Sequence, residues 1–284
     1  IVDLINHPGA EQIESFAEGK VKLVSVKAKK DGKLVNRELK SIKSDLPDID
    51  TFVPTIFRKN KPVVPDGSTV IKENDEVYFL SSEENIDKIV NELRDQGDTT
   101  SRIMIVGGGR IGLSLAMTLE KHYKVKVLEQ DHTKCESIAK DLNKAIVLKG
   151  SGSDEELLRS ENIENIDVFC ALTNDDETNI MSAFLAKKLG AKKTLIILNN
   201  YSYINILPKS FVDLPLSPQR MTVSLVMQHL TSVDMPQEVL LKMNSGVEAL
   251  EGVIHLNNDT KELFGLKYAL LPLPENSVLG SIYR

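Results

Sequence analysis

Three glycines, Gly107, Gly109 and Gly112, have the spacing at which a backbone can close on a diphosphate. Gly107 permits the tight turn, Gly109 leaves room for the phosphates, and Gly112 lets the following helix pack close to the preceding strand. Gly108, Arg110 and Ile111 complete the turn. A helix expected over Ile111–Lys121 would aim its free N–H groups and positive dipole end at the anion. About twenty residues further on, at the end of an apolar strand, stands Glu129, where a carboxylate can accept hydrogen bonds from the adenosine ribose. It would repel a 2′-phosphate, so NAD or an adenine nucleotide fits better than NADP.

Two more loops are placed to join this site. Gly150-Ser151-Gly152-Ser153 has small residues that allow close approach of adenine or ribose. The same residues also suit a helix start, with Ser153 as cap and Glu156 completing a capping box. Thr173 and Asn174 fall at the end of a strand, facing the same nucleotide. The acids Asp175, Asp176 and Glu177 that follow suit a helix N-terminus by dipole alone.

Groups for catalysis are missing from this pattern. The histidines at 7, 122, 132, 229 and 255 have no metal-ligand spacing. No tyrosine is followed four residues later by lysine, the pair a short-chain reductase needs for proton transfer. A Gly-Lys-Ser/Thr phosphate loop is also absent. A cofactor fold with no acid–base residue reads as a sensor; no catalytic residue and no metal site is expected.

The elements that must hold these residues follow from hydrophobic pattern. Strands are expected near 102–107, 124–129, 145–149, 167–172, 194–198 and 212–216, alternating with helices. That order specifies a parallel sheet covered on both faces. Before it lies a small strand-rich unit from Lys20 to Ser82, with strands at Val21–Ala28, Thr51–Arg58, Thr69–Ile71 and Glu76–Leu80, and a short helix over Leu34–Ser44. An amphipathic helix with Ile86, Ile89, Val90 and Leu93 at helical spacing leads to a polar linker at 95–100. After the sheet comes a helix, Met221–Val233, apolar on more than one side, which must be covered by core or by a second copy. The stretch from Gly246 to Arg284 repeats the layout of the first small unit, with Ile282-Tyr283-Arg284 echoing Ile56-Phe57-Arg58.

Composition is that of an ordinary globular chain: 41% hydrophobic and 27% charged, with a net charge of −6 that argues against a nucleic-acid surface. No apolar run approaches the roughly 18 residues that span a bilayer, and no secretory signal pattern is present. Cys135 and Cys170 have no metal-ligand neighbours and read as reduced thiols of a cytosolic protein. The chain starts at Ile1 with no methionine and stops at Ser281-Ile282-Tyr283-Arg284 in what reads as the middle of a strand, so a fragment of a longer chain is expected.

Val106-Gly107-Gly108-Gly109-Arg110-Ile111-Gly112, Glu129, Gly150 and above all the run Asp175–Ala191 (DDETNIMSAFLAKKLGA) resemble the RCK (KTN) domain family. Phe16–Leu23, Pro65–Thr69 and Asn74–Val77 of the first small unit share the resemblance. It implies a Rossmann-like doubly wound α/β domain (RCK_N, 101–217) between small α+β RCK_C domains at 16–85 and, truncated, 241–284. Residues 1–15 would then be residual linker or helix, 86–100 helix and linker, and 218–240 a crossover helix. The resemblance also implies a cytoplasmic homo-oligomer, from dimer to four-subunit ring, peripheral to the inner membrane. The ring would dock on a TrkH-type potassium channel subunit and gate uptake in response to NAD(H), or to ATP or ADP. Nucleotide contacts carried over by position are Gly107, Gly108, Gly109, Arg110, Ile111, Gly112, Glu129, Gly150, Thr173 and Asn174, with Ser151 beside Gly150. The family pattern has Gly-Asp where this chain has Gly150-Ser151, so one carboxylate that could contact ribose is replaced here. Two other readings stay open: an NAD-dependent dehydrogenase lacking its catalytic domain, and a ring subunit whose nucleotide site is vestigial.

Overall fold

An antiparallel sheet of five strands and a parallel sheet of six carry the fold of the computed structural model. The structure describes residues 1–45, 47, 49–93, 100–208, 210–219, 221–223, 226, 237–241, 246–252, 254, 261–263, 265–267, 270–275 and 277–282. The chain forms two units: Ile1–Pro8 with Thr99–Val223, and Gly9–Asp98 with Ser224–Arg284. Among the described residues no helix is long and apolar enough to cross a membrane.

The first helix, α1 (Val2–Asn6), belongs to the unit of the parallel sheet, where Ile5 is 1% exposed and packs into the core. The chain then enters the other unit through β1 (Ala10–Phe16) and β2 (Val21–Lys27). The short helix α2 (Ile42–Asp45) precedes β3 (Thr51–Arg58), β4 (Lys61–Val63) and β5 (Glu76–Ser82), and the helix α3 (Ile86–Leu93) follows them. The sheet order is β1-β2-β5-β3-β4. All four apolar residues expected on one face of α3 are buried.

Several local expectations change here. Residues 10–15, expected as linker or helix, belong with Phe16 to an edge strand paired with β2. The helix expected over Leu34–Ser44 shrinks to a 3-10 turn and α2, because Asn36 is left-handed (φ 64°) and the N–H groups of Asn36, Leu39 and Lys40 donate sideways to Ile71, Thr69 and Gly67. Thr69–Ile71 contributes only an isolated bridge, Glu38 to Val70, in place of a strand. Lys61–Val63 pairs with β3 as a strand the sequence pattern did not reveal.

The parallel unit alternates β6 (Arg102–Val106), α4 (Arg110–Leu119), β7 (Lys124–Glu129), α5 (His132–Asp141), β8 (Ile146–Lys149) and α6 (Glu155–Ser160). It continues with β9 (Val168–Ala171), α7 (Asp176–Lys188), β10 (Lys193–Ile197), α8 (Tyr201–Ile206) and β11 (Leu214–Leu216). The order β11-β10-β9-β6-β7-β8 reverses direction between β6 and β9, the switch point at which ligands bind in open α/β sheets. The central strands β6 and β9 are almost entirely apolar because both faces are covered, whereas β7 and β8 carry lysines and Glu129. Ile103 and Ile105 of β6 join Leu115, Ala116 and Leu119 of α4 on one side. Met104 and Val106 join Phe169, Ala183 and Ala186 on the other. Each fully buried leucine or isoleucine there contributes roughly 1.5–3 kcal/mol.

Most of the apolar helix expected after the sheet, and the linker at 95–99, lie outside the described residues; 218–219 and 221–223 are helical. Within the range expected as crossover helix, Gln237–Leu240 is instead a strand, β12, paired with β13 (Glu248–Glu251). Leu241, which follows β12, packs with Phe16, Leu23, Phe57 and Tyr78 of the antiparallel sheet, and the Ala17 N–H donates to Glu251 Oε1 at 2.7 Å. Of the echo between 56–58 and 282–284, residues 283 and 284 lie outside the described set.

Candidate functional site

Strand register decides which residues meet. Val106 stands opposite Leu128 on one side and Ala171 on the other, so Gly107, Glu129 and Leu172–Thr173 emerge side by side. Glu129 in turn pairs with Lys149, which brings Gly150 to the same edge. The glycine turn, the acid and both further loops therefore share the carboxyl end of the sheet.

The glycines divide by what surrounds them. Gly107 is left-handed (φ 98°), and a Cβ there would stand 3.0 Å from Thr173 N. A Cβ on Gly108 would overlap Ile138, and one on Gly112 would overlap the Gly107 carbonyl oxygen. Gly109 differs: nothing lies within 4 Å of its would-be Cβ. Gly109 is the N-cap residue of α4, no side chain caps the helix, and its first N–H groups, on Arg110, Ile111 and Gly112, lack intrahelical partners. Open space over uncapped N–H groups at the positive end of a helix can receive an anion. Arg110 and Ile111 are both solvent-exposed beside it.

Glu129 is oriented by the backbone. Its Oε2 accepts from the Gly108 N–H at 2.9 Å and its Oε1 from the Asp131 N–H at 3.0 Å. Each oxygen keeps acceptor capacity for a ribose hydroxyl. Cys135 lies behind the acid, its Sγ donating to the Glu129 carbonyl at 3.3 Å. Burial, and next the charges of Glu129 and Asp131, push that thiol above its usual range.

The loop after β8 is built differently from expectation. A Cβ on Gly150 would overlap Leu157, and one on Gly152 would crowd Val106, so both glycines serve packing. Helix α6 is capped by Asp154, whose side chain accepts from the Leu157 N–H at 3.1 Å, and not by Ser153. Ser151 Oγ accepts from the Ser153 N–H and from Gln130 Nε2, both at 3.1 Å, tying this loop to the residue after Glu129.

In the loop after β9, Thr173 is half-buried and Asn174 exposed. The three following acids are structural. Asp175 caps α7 through the Thr178 N–H at 2.7 Å, and the Thr178 hydroxyl and N–H hold its carboxyl below the usual range. Asp176 accepts from the N–H groups of Asn199 and Asn200 at 2.9 and 2.7 Å. Glu177 accepts from the Tyr203 hydroxyl at 2.7 Å.

Residues 103–218 match the family model of the TrkA-N domain, and residues 23–94 that of the TrkA-C domain. The Trk system potassium uptake protein TrkA of Vibrio alginolyticus is 41% identical over 281 residues, 99% of this chain. The chain carries a TrkA-N and a TrkA-C domain. The corresponding proteins of Halomonas elongata and Haemophilus influenzae are 39% and 38% identical over 99% and 100% of the chain. The chain spans 61–62% of the length of these three relatives. Among solved structures, the RCK domain of GsuK superposes with a TM-score of 0.53 at 16% identity, covering 78% of this chain and 47% of that one. The GsuK channel bound to NAD gives 0.53 at 15% identity, over 84% and 44%. At such identities the likeness is one of fold.

Within the TrkA-N match, the structure adds a residue that motif reading missed. Asn179, on the first turns of α7, is 0% exposed and bonds to both Thr173 and the end of β10. It stands inside the run Asp175–Ala191, where it follows Asp176, Glu177 and Thr178 and reads as one more polar residue of the first helical turns.

Proposed function

We propose that this chain is the nucleotide-sensing part of a Trk-type potassium uptake regulator. It binds NAD(H), or ATP or ADP, at the carboxyl end of its parallel sheet and acts by conformation, without catalysis. The observation that carries this reading is the combination at Gly109: open space, an uncapped helix N-terminus, and the backbone-oriented Glu129 carboxylate on the adjoining strand. Similarity to Trk system potassium uptake proteins and the TrkA-N domain support potassium uptake as the process served. Gly107 to Gly112 would hold the diphosphate, Glu129 the adenosine ribose, and Thr173, Asn174 and the Gly150-Ser151 loop would flank the base or the second half of the ligand.

The partner is a TrkH-type membrane channel subunit. The regulator sits on it from the cytoplasmic side of the inner membrane as a homo-oligomer, dimer to tetrameric ring. A nucleotide gates such an assembly only if it binds one ring conformation better than the other, by a difference in affinity equal to the coupling. The test is calorimetric titration with NADH, ATP and ADP, followed by potassium flux through the co-reconstituted channel. Saturable binding and nucleotide-dependent flux, both lost in Gly109→Asp and Glu129→Ala, are expected. Regulation that survives in both variants overturns the proposal.

A further inference from the structure

The amide of Asn179 is fully committed. Its Oδ1 accepts from the Thr173 N–H at 2.9 Å and from the Thr173 hydroxyl at 2.7 Å. Its Nδ2 donates to the Thr173 carbonyl at 2.9 Å and to the Ile197 carbonyl at 3.0 Å. A side-chain amide offers two lone pairs and two N–H donors, and all four are used here, out of contact with water. Both backbone polar groups of Thr173 are thus held by one side chain that ends on β10. One helical turn earlier, and so on the same side of α7, Asp176 holds the N–H groups of Asn199 and Asn200 just beyond β10.

The segment so held is one wall of the glycine turn. Gly107 would touch Thr173 N at 3.0 Å and the Leu172 carbonyl at 3.1 Å if it had a Cβ. Movement of Thr173 towards Gly107 closes the turn, and movement away opens it. The amide lies behind this wall, buried, with no route to a ligand at the glycine turn.

We propose that Asn179 is a positioning residue for nucleotide binding. It fixes the depth of the Thr173 backbone beside the glycine turn and thereby sets affinity, although it touches no ligand. This rests on the nucleotide reading of the site. Loss of the amide leaves the Thr173 N–H and carbonyl without their buried partner, so the loop relaxes and binding must reorder it.

Asn179→Ala and Asn179→Asp are compared with Leu185→Ala, a control more than one turn further along the same helix whose partly buried side chain packs against the core. Aspartate retains an oxygen towards the Thr173 N–H but sets a second oxygen against the carbonyls of Thr173 and Ile197. NADH and ADP affinities are read by calorimetry at a temperature where every variant is folded, alongside melting midpoints and exchange of the Thr173 amide hydrogen. Both Asn179 variants should weaken binding by about three- to tenfold, the equivalent of one hydrogen bond, and speed exchange at Thr173. Leu185→Ala should lower the midpoint and leave affinity unchanged. If alanine at 179 does not fold, Asn179→Ser, which restores one hydroxyl to the loop, takes its place with the same expected loss. Wild-type affinity in the Asn179 variants, or a loss that tracks the midpoint equally in Leu185→Ala, overturns the inference. Absence of nucleotide binding in the unaltered chain overturns the functional reading beneath it, and is seen before any variant is made.

Discussion

Alanine at position 109 separates the two roles a glycine can have in this turn. Gly109 has φ −67° and ψ −175°, a conformation any residue adopts, and nothing lies within 4 Å of its would-be Cβ. Replacing glycine by alanine at such a position gains about 0.4–1 kcal/mol by restricting the unfolded chain. Alanine is a poorer N-cap than glycine by about 0.5–1 kcal/mol. The two effects oppose and nearly cancel, leaving a net change within about 0.5 kcal/mol. For a unit of this size that is a shift of about 2 °C or less in the melting midpoint. The added methyl group, however, occupies the space over the uncapped N–H groups of α4, which the proposed function assigns to the phosphates. Gly109→Ala should therefore melt like the parent chain by scanning calorimetry, yet show no heat of binding with NADH, ATP or ADP. Gly112→Ala is the contrasting case. Its Cβ would overlap the Gly107 carbonyl oxygen, which is backbone and cannot swing aside, so a destabilisation of about 1–3 kcal/mol or more is expected. Parent-like affinity in Gly109→Ala refutes the assignment of that space to phosphate. A midpoint several degrees lower refutes the claim that the space is open.

Three further outcomes are expected from the packing and electrostatics of the parallel-sheet unit. Glu120, a buried carboxylate, is held down to about 2 by the Lys144 N–H, with those of Ala145 and Asn143 assisting against the desolvation that opposes them. Its folded value lies below the ordinary 4.5, so its stabilisation is complete above about pH 5 and is lost as pH falls towards 2; acid melts of Glu120→Gln should be flatter than the parent in that window, and the variant should be about 1–3 kcal/mol less stable at pH 7. Ile5→Ala should cost the parallel-sheet unit about 2–5 kcal/mol in chemical denaturation, because Ile5 is buried in that core. Cys170 is buried on β9 and its thiol is pushed up to about 12 by desolvation, so alkylation at pH 8 should label it only after unfolding.

How much of this could be read from sequence depended on where each residue finds its partner. The strands of the parallel sheet were legible because burial on both faces leaves uninterrupted apolar runs such as Ile103–Val106 and Val168–Ala171. The helix α3 was legible because its four buried residues recur at helical spacing within eight positions. By contrast, β1 reads Ala-Glu-Gln-Ile-Glu-Ser-Phe, mostly polar, and becomes a strand only because β2 offers it an edge. The cap of α6 was misplaced by one residue because Ser153 and Asp154 are both competent caps and only the folded turn chooses between them. Asp176 and Asn179 were opaque for a related reason. An acid or amide on the first turns of a helix has an adequate local explanation, dipole or solvent, and nothing nearby in the chain indicates that Asn199, Asn200 and Ile197 will be brought against it. Glu129 escaped this opacity although its partner Gly108 is 21 positions away, since the strand–turn–helix–strand unit between them fixes that distance geometrically. Long-range proximity is thus readable when a single βαβ unit spans it, as for the glycine turn and Glu129, although the hydrogen bond between Gly108 and Glu129 was not itself foreseen. Proximity becomes unreadable when, as for Asp176 and Asn179, a competing local role accounts for the same residue.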